Sequence, residues 1–319
     1  MTSFDHKTNK NDPNWNQSKE KGSPWALAFI VWFFKLLGPG LTYGLTYFII
    51  WFYYLTDGPK RRHTADYLGR LHDYAGEKSP FAKQPGFWQG LKLYQNFGEI
   101  IVDRFVNWTQ PEKEFFDIEW KGQELLRAQI QTKRGALILS GHFGNVEVLR
   151  ADAQGEELPV KMLMFVENAQ KYVKMLGQIN PQVMDHLICL ESLNIGNLSL
   201  LQEEIEQGHL IGILADRITE GAPGKTSSLP WLGKDASFPQ GPFALATILE
   251  VPVYTFFVFK SGPRKYEVEV RPIFDGQPIK RKERQAAIEK MQLDFLGHWE
   301  KLCVRYPYQW FNFYDFWKS

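Results

Sequence analysis

Apolar positions follow three different rhythms along this chain, and each predicts a different kind of element. Near the amino terminus they are almost continuous. Trp25 to Leu37 is apolar apart from Lys35, and Leu41 to Leu55 is again apolar and aromatic, with Gly38-Pro39-Gly40 between the two runs. Neither run reaches the roughly 20 residues of a simple spanning helix, although the pair together exceeds it. The punctuation therefore predicts a broken or re-entrant hairpin, or a helix kinked at Pro39, over residues 23–57 and associated with a membrane. Lysines precede the segment and Lys60-Arg61-Arg62 follow it. Basic residues on both sides suit anionic headgroups but give no orientation. The alternative is a core hairpin of a soluble protein. Residues 1–22 are polar and carry no apolar h-region, so they read as a disordered tail and not as a signal peptide.

Beyond residue 58 the pattern alternates between helical and strand periods. Ala65, Leu68 and Leu71 predict a helix over Lys60 to Tyr74 that ends near Gly76, and Phe87, Leu91, Tyr94, Ile101 and Phe105 mark a longer one over Gly86 to Trp108. Phe115 to Trp120 alternates as a strand, and Gln123 to Lys133 is helical. Strand-like runs at Ala136 to Leu139, Val160 to Val166, Leu187 to Leu190, His209 to Ala215 and Val253 to Phe259 are interleaved with helical ones at Ala169 to Gln178 and Leu198 to Gln207. Asn197 suits the N-cap of the second helix, and Gly208 lies just past its end. Tyr266 to Val270 reads as an edge strand, and Ile288, Met291, Phe295, Trp299 and Leu302 share one face of a last helix. This alternation predicts an α/β fold, a central mainly parallel or mixed sheet flanked by helices, occupying 58–319 as one domain. Ile218 to Pro239 shows little regular pattern and reads as a long loop. Its Gly221-Ala-Pro-Gly-Lys-Thr226 lacks both the first glycine and the following helix of a phosphate-binding P-loop.

The chemistry concentrates in Gly135-Ala-Leu-Ile-Leu-Ser-Gly-His-Phe-Gly-Asn-Val-Glu147. A buried strand there runs into a turn with Gly141 and Gly144 on either side of His142, leaving room for a substrate to approach the imidazole. An imidazole at a strand end, near a helix N-terminus that keeps it neutral, suits a general base. Glu147, five residues on, is placed to accept the other ring N–H if the turn folds back. The bland alternative is a capping His142 beside a solvated Glu147. Backbone donors from Gly141 to Asn145 are the expected oxyanion stabilisers. The remaining histidines show no ligand spacing, so no metal is expected.

Composition narrows the setting. A formal net charge of +1 offers no global field to recruit nucleic acid, whereas 11 Trp, 13 Tyr and 24 Phe suit a bilayer interface or an acyl chain. Two cysteines make no disulfide framework and fit a reducing compartment, with Cys189 expected to be buried.

His142-x-x-x-x-Glu147 resembles the HxxxxD/E motif of the lysophospholipid acyltransferase superfamily, and its Ser-Gly-His-Phe-Gly-Asn-Val-Glu context looks like the bacterial lipid A (lauroyl/myristoyl) acyltransferase branch. A second block agrees in order and spacing: Asp216-Arg217 at a strand end, Trp231-Leu232-Gly233, then Gly241 before an apolar helix. The resemblance covers roughly residues 20 to 317. It implies a membrane-associated acyltransferase on the cytoplasmic face of a bacterial inner membrane, moving an acyl group from an acyl carrier protein or CoA thioester to a hydroxyl or amine of a lipid-like acceptor. In that reading His142 is the base and Glu147 its orienter, while Gly141, Gly144, Asn145, Asp216 and Arg217 meet substrate. The thioester is a co-substrate, and no resident cofactor is implied. Two departures from the branch stand out. Phe165-Val-Glu-Asn168 lacks the usual arginine, and the terminus carries Asn312, Tyr314 and Asp315 in place of a basic signature. Its Gln-Trp-Phe-Asn-Phe-Tyr run looks more like acyltransferases associated with aryl-polyene or flexirubin-type pigments. Competing readings are a lipid A acyltransferase proper, a hydrolase using the same base on water, and an inactive membrane scaffold.

Overall fold

The computed structural model describes residues 24–109, 115–147, 158–165, 181–190, 195–218 and 225–318. The expected tail at 1–22, the helix at 169–178 and the segment Val166-Glu167-Asn168 lie outside them. The core is a seven-stranded sheet in the order β1-β9-β8-β2-β5-β3-β4, built from β1 Asp117–Lys121, β2 Ala136–Ser140, β3 Val160–Phe165, β4 Leu187–Leu190, β5 Leu210–Leu214, β8 Pro252–Gly262 and β9 Lys265–Asp275. Every residue of β2 is buried, as its unbroken apolar run requires of a strand covered on both faces. It occupies the centre of the sheet, parallel to β5 on one side and β8 on the other. Only β9 reverses direction against its neighbour β8, and β1 then runs parallel to β9. The fold is thus α/β with a mostly parallel sheet.

Four local expectations are corrected. The strand at Tyr266 to Val270 is internal, and the edge on that side is β1, whose alternating exposure and charged Glu119 and Lys121 suit that position. The long loop is half a hairpin: β6 Thr226–Trp231 and β7 Lys234–Pro239 close on Leu232 and Gly233, with φ of 47° and 79°. That is the left-handed pair a two-residue turn demands, and Pro230 had disguised the first strand. Asn197 does not cap a helix, because the helix starts earlier, at Ile195. Cys189 is exposed on the edge strand β4, whereas Cys303 is buried.

Three helices precede the sheet: α1 Pro24–Thr56, α2 Gly58–Ala75 and α3 Phe87–Thr109. α1 breaks at Gly38 (φ 74°), one residue before Pro39, where the sequence predicts a kink. Its Thr42, Thr46, Ile50 and Tyr54, four residues apart, form the buried face against α3. Gly98 of α3 permits the close approach, since a Cβ there would lie 2.7 Å from Ile50 and 2.9 Å from Thr46. Among the described residues no helix is long and apolar enough to cross a membrane. Of the remaining helices, α4 Gln123–Gln131 packs with Ala136 and Ile138 on one face of the sheet, whereas α5 Ile195–Glu206, α6 Gly241–Leu249 and α7 Arg284–Arg305 share the core of the opposite face with Leu137 and Leu139. The predicted stripe of α7, Ile288 to Leu302, is buried throughout. The aromatic carboxy-terminal segment is docked on the core: Trp310 packs edge-on against Trp231 and Trp299, and Pro307 accepts the Tyr67 hydroxyl at 3.0 Å.

Candidate active site

The site forms where β2 and β5 end. These strands pair in parallel with Ser140 opposite Leu214, so two residues further along each strand His142 comes opposite Asp216. Ala215 N–H donates to the Ser140 carbonyl at 2.8 Å and carries the register past the strand ends. Gly141 makes room for the encounter, because a Cβ there would lie 3.4 Å from Asp216 Cβ and 3.3 Å from Trp299. Asp216 is 1% exposed, and its carboxylate receives His142 Nδ1 at 2.8 and 3.0 Å and the His142 backbone N–H at 3.1 Å. A carboxylate can only accept, so Nδ1 carries the proton and Nε2 is the basic nitrogen. The ring itself is 34% exposed.

The electrostatics favour a neutral ring beside an anionic carboxylate. Burial pushes His142 below the ordinary histidine value, the Arg217 and Arg104 charges push it further, and Asp216 offsets them only in part. Burial alone would raise the Asp216 carboxyl. The His142 ring and backbone N–H and the Arg217 charge outweigh burial and hold it below its usual range.

The expectation that Glu147 orients the imidazole is not what the structure shows, since Asp216 takes that place. The Asn145 N–H bonds the Val258 carbonyl at 2.8 Å, and a short helical turn at 146–147 then carries Glu147 towards α3. There its carboxylate lies 4.0 Å from Arg104, and its carbonyl accepts from Asn107 at 2.7 Å. Gly144 answers to backbone packing. Its φ is 66°, and a Cβ would collide with the Val258 carbonyl. Asn145 is wholly buried and accepts from Arg104 Nε at 3.0 Å, so its side chain ties the loop to α3. Four of the expected oxyanion donors are engaged: the amides of residues 142 to 145 bond Asp216, Gly141, Gln309 and Val258 respectively.

Arg217 remains beside the imidazole. Its guanidinium donates to the Phe311 carbonyl at 3.2 Å, lies 3.9 Å from Asp216 and stacks over the Tyr314 ring. Sequence reasoning missed Arg104, Asn107 and Gln309. Arg104 is one charged residue within a long amphipathic helix, and Gln309 stands in a terminal aromatic run, so neither carries a local signal. The pairing of His142 with Asp216 spans 74 positions and needs the strand order.

These features define a class: an α/β enzyme with a carboxylate-backed histidine at the C-terminal edge of a mostly parallel sheet. A model of the family described as bacterial lipid A biosynthesis acyltransferase matches residues 91–319, well over half the chain. The protein therefore belongs to the bacterial lipid A biosynthesis acyltransferase family and is an acyltransferase of lipid biosynthesis. No curated protein matches it individually.

The charges around the ring generate a signed prediction for His142. Its titration midpoint, followed by NMR of the imidazole, should fall below 6.5. Arg217→Met should move that midpoint up and Asp216→Asn should move it down. Shifts in one common direction would contradict the charge arrangement.

Proposed function

We propose that this protein transfers an acyl group from an acyl carrier protein or CoA thioester to a hydroxyl or amine of a lipid-like acceptor at the cytoplasmic face of a bacterial inner membrane. The observation that carries this reading is the partly exposed imidazole whose Nδ1 is held by buried Asp216. Nε2 takes the proton of the acceptor as its oxygen or nitrogen attacks the thioester carbonyl. The tetrahedral intermediate collapses, the C–S bond breaks, and the imidazolium returns the proton to the departing thiolate. Asp216 fixes the tautomer and stabilises the imidazolium. Arg217 and Arg104, whose charges act on the ring, supply positive charge for the oxyanion or for an anionic group on substrate.

Membrane association rests on α1. Opposite its buried face, Leu41, Phe48, Phe52 and Leu55 line one exposed stripe, joined by Trp88 at the start of α3; Phe48 is 77% and Trp88 67% exposed. A helix apolar on both faces with only one of them covered by protein suits a bilayer interface on the other. Arg62, exposed at the start of α2, adds attraction to anionic headgroups. The Lys280 to Arg284 cluster follows β9, which ends level with the N-terminus of β8, so it lies at the sheet edge remote from His142 and out of the path of a reacting donor.

For the acceptor, the non-basic terminus favours a less charged molecule than a bis-phosphorylated disaccharide, as in the pigment-associated subgroup. Asn312 is buried and bonded to the Tyr314 carbonyl, and Asp315 pairs with Lys318 at 3.3 Å, so these two side chains add no positive charge for a phosphate. A lipid A precursor is the second reading, favoured by the two arginines at the ring.

Three outcomes are expected. His142→Ala should abolish acyl transfer in a folded protein, and Asp216→Asn should lower kcat by about 10²–10⁴-fold, whereas Glu147→Gln should cost far less; equal losses at Asp216 and Glu147 would contradict this division of roles. Changing Phe48, Phe52 and Trp88 together to serine should release the protein from anionic vesicles with the melting temperature retained, and unchanged co-sedimentation would place the contact elsewhere. With one acyl donor and equal concentrations of a phosphorylated disaccharide and an uncharged long-chain alcohol, the alcohol should be acylated faster. A preference for the disaccharide would select the second reading.

A further inference from the structure

The sheet edge beside His142 holds a buried polar cluster that the chemistry above does not use. Its centre is Asp103 of α3, 0% exposed. The carboxylate receives the Lys260 ammonium at 2.9 Å and the hydroxyls of Tyr43 and Tyr266. These partners come from β8, α1 and β9, so three elements converge on one charge. A second thread runs parallel: Lys260 also meets Glu99 at 3.0 Å, and Glu99 accepts the hydroxyl of Tyr47, again from α1.

The cluster continues into the loop that carries the imidazole. Tyr266 receives the Asn145 amide at 3.5 Å, and Arg104, the next residue after Asp103, bonds the same side chain at 3.0 Å. One turn further along α3, Asn107 holds the Glu147 carbonyl. From the other side, the Gln309 side chain brackets the Lys260 backbone, accepting from its N–H at 3.0 Å and donating to its carbonyl, while the Gln309 carbonyl takes the Gly144 N–H at 2.9 Å. A buried carboxylate is costly unless all its partners are present, so the position of α3 is fixed by where those partners stand.

We propose that Asp103 is a positioning residue through which the Tyr43 hydroxyl of α1 sets the alignment of His142; the inference rests on His142 being the base of the acyl transfer. α1 is then part of the apparatus that aligns the base, in addition to any contact it makes with lipid. Tyr43 is the part of the cluster that α1 contributes directly to Asp103. Removing its hydroxyl leaves Asp103 and Lys260 paired but takes away the direct tie between α1 and Asp103.

The test compares Tyr43→Phe and Asp103→Asn with Gly98→Ala, which strains the packing of α1 on α3 without touching the cluster. Melting temperature, the kcat and KM of acyl transfer, and the NMR signal of the His142 Nδ1 proton are measured for each. For the two cluster variants, kcat should fall on the order of 10–100-fold with KM unchanged, as a displaced catalytic group predicts, and the Nδ1 proton signal should shift or broaden. Gly98→Ala should leave that signal in place. The proposal is overturned if folded Tyr43→Phe and Asp103→Asn keep the wild-type signal, or if their losses match those of Gly98→Ala at equal melting temperature. Tyr43→Phe removes a single hydroxyl from a partly exposed ring, so it supplies the result should Asp103→Asn fail to fold. The proton signal needs no substrate. A cluster-dependent signal in a protein without turnover would therefore count against acyl transfer and leave the positioning role standing.

Discussion

A carboxylate removed from water must be surrounded by donors, and much of this molecule is arranged around that requirement at Asp216. Its two oxygens are met by the ring and the backbone of a single residue, His142, and the meeting is possible because two parallel strands end in register with a glycine between them. Shifting β2 by one residue against β5 would carry the imidazole to the other side of the sheet and leave the carboxylate buried without its partner. The burial of the whole of β2 therefore does more than stabilise the core. It fixes the register on which the chemistry depends.

That dependence explains what could be read from the sequence and what could not. Apolar patterning located most elements, because burial on one face writes a helical or strand period into the residues and a strand inside a sheet writes an unbroken apolar run. Ala136 to Leu139, Leu187 to Leu190 and the stripe of α7 are examples. It also singled out His142, since a histidine between glycines at a strand end stands out locally. The partner of His142 did not stand out. Glu147 is five residues away and Asp216 seventy-four, and only the order of strands in the sheet decides between them. Gly144 illustrates the same limit. A glycine beside a histidine invites a substrate, yet here the demand comes from the Val258 carbonyl on β8, more than a hundred residues later.

The helices in front of the sheet show how one segment can satisfy two environments. An apolar run can be buried or exposed, and α1 divides these between its faces. Thr42, Thr46, Ile50 and Tyr54 meet α3, while Leu41, Phe48, Phe52 and Leu55 face outward. Threonines on the buried face return their hydroxyls to carbonyls one turn back, Thr46 to Thr42 at 2.8 Å and Thr42 to Gly38 at 2.8 Å. They enter a packed interface without leaving a polar atom unmatched. The break at Gly38 lies just before that packed stretch, so the two halves of the apolar region need not share one axis.

The loop that bears His142 is closed from behind by the last residues of the chain: Gly144 bonds the Gln309 carbonyl, and Phe311 N–H bonds the carbonyl of His142 itself. Translation delivers these parts in a fixed order. The helix with the outward apolar stripe leaves the ribosome first, the strand with the histidine follows, and the segment that locks the loop emerges only after α7. During synthesis a nascent chain thus carries that stripe long before it can hold its imidazole in place. Chains cut short before Gln309 would carry His142 and Asp216 yet lack the clasp that holds the loop bearing His142.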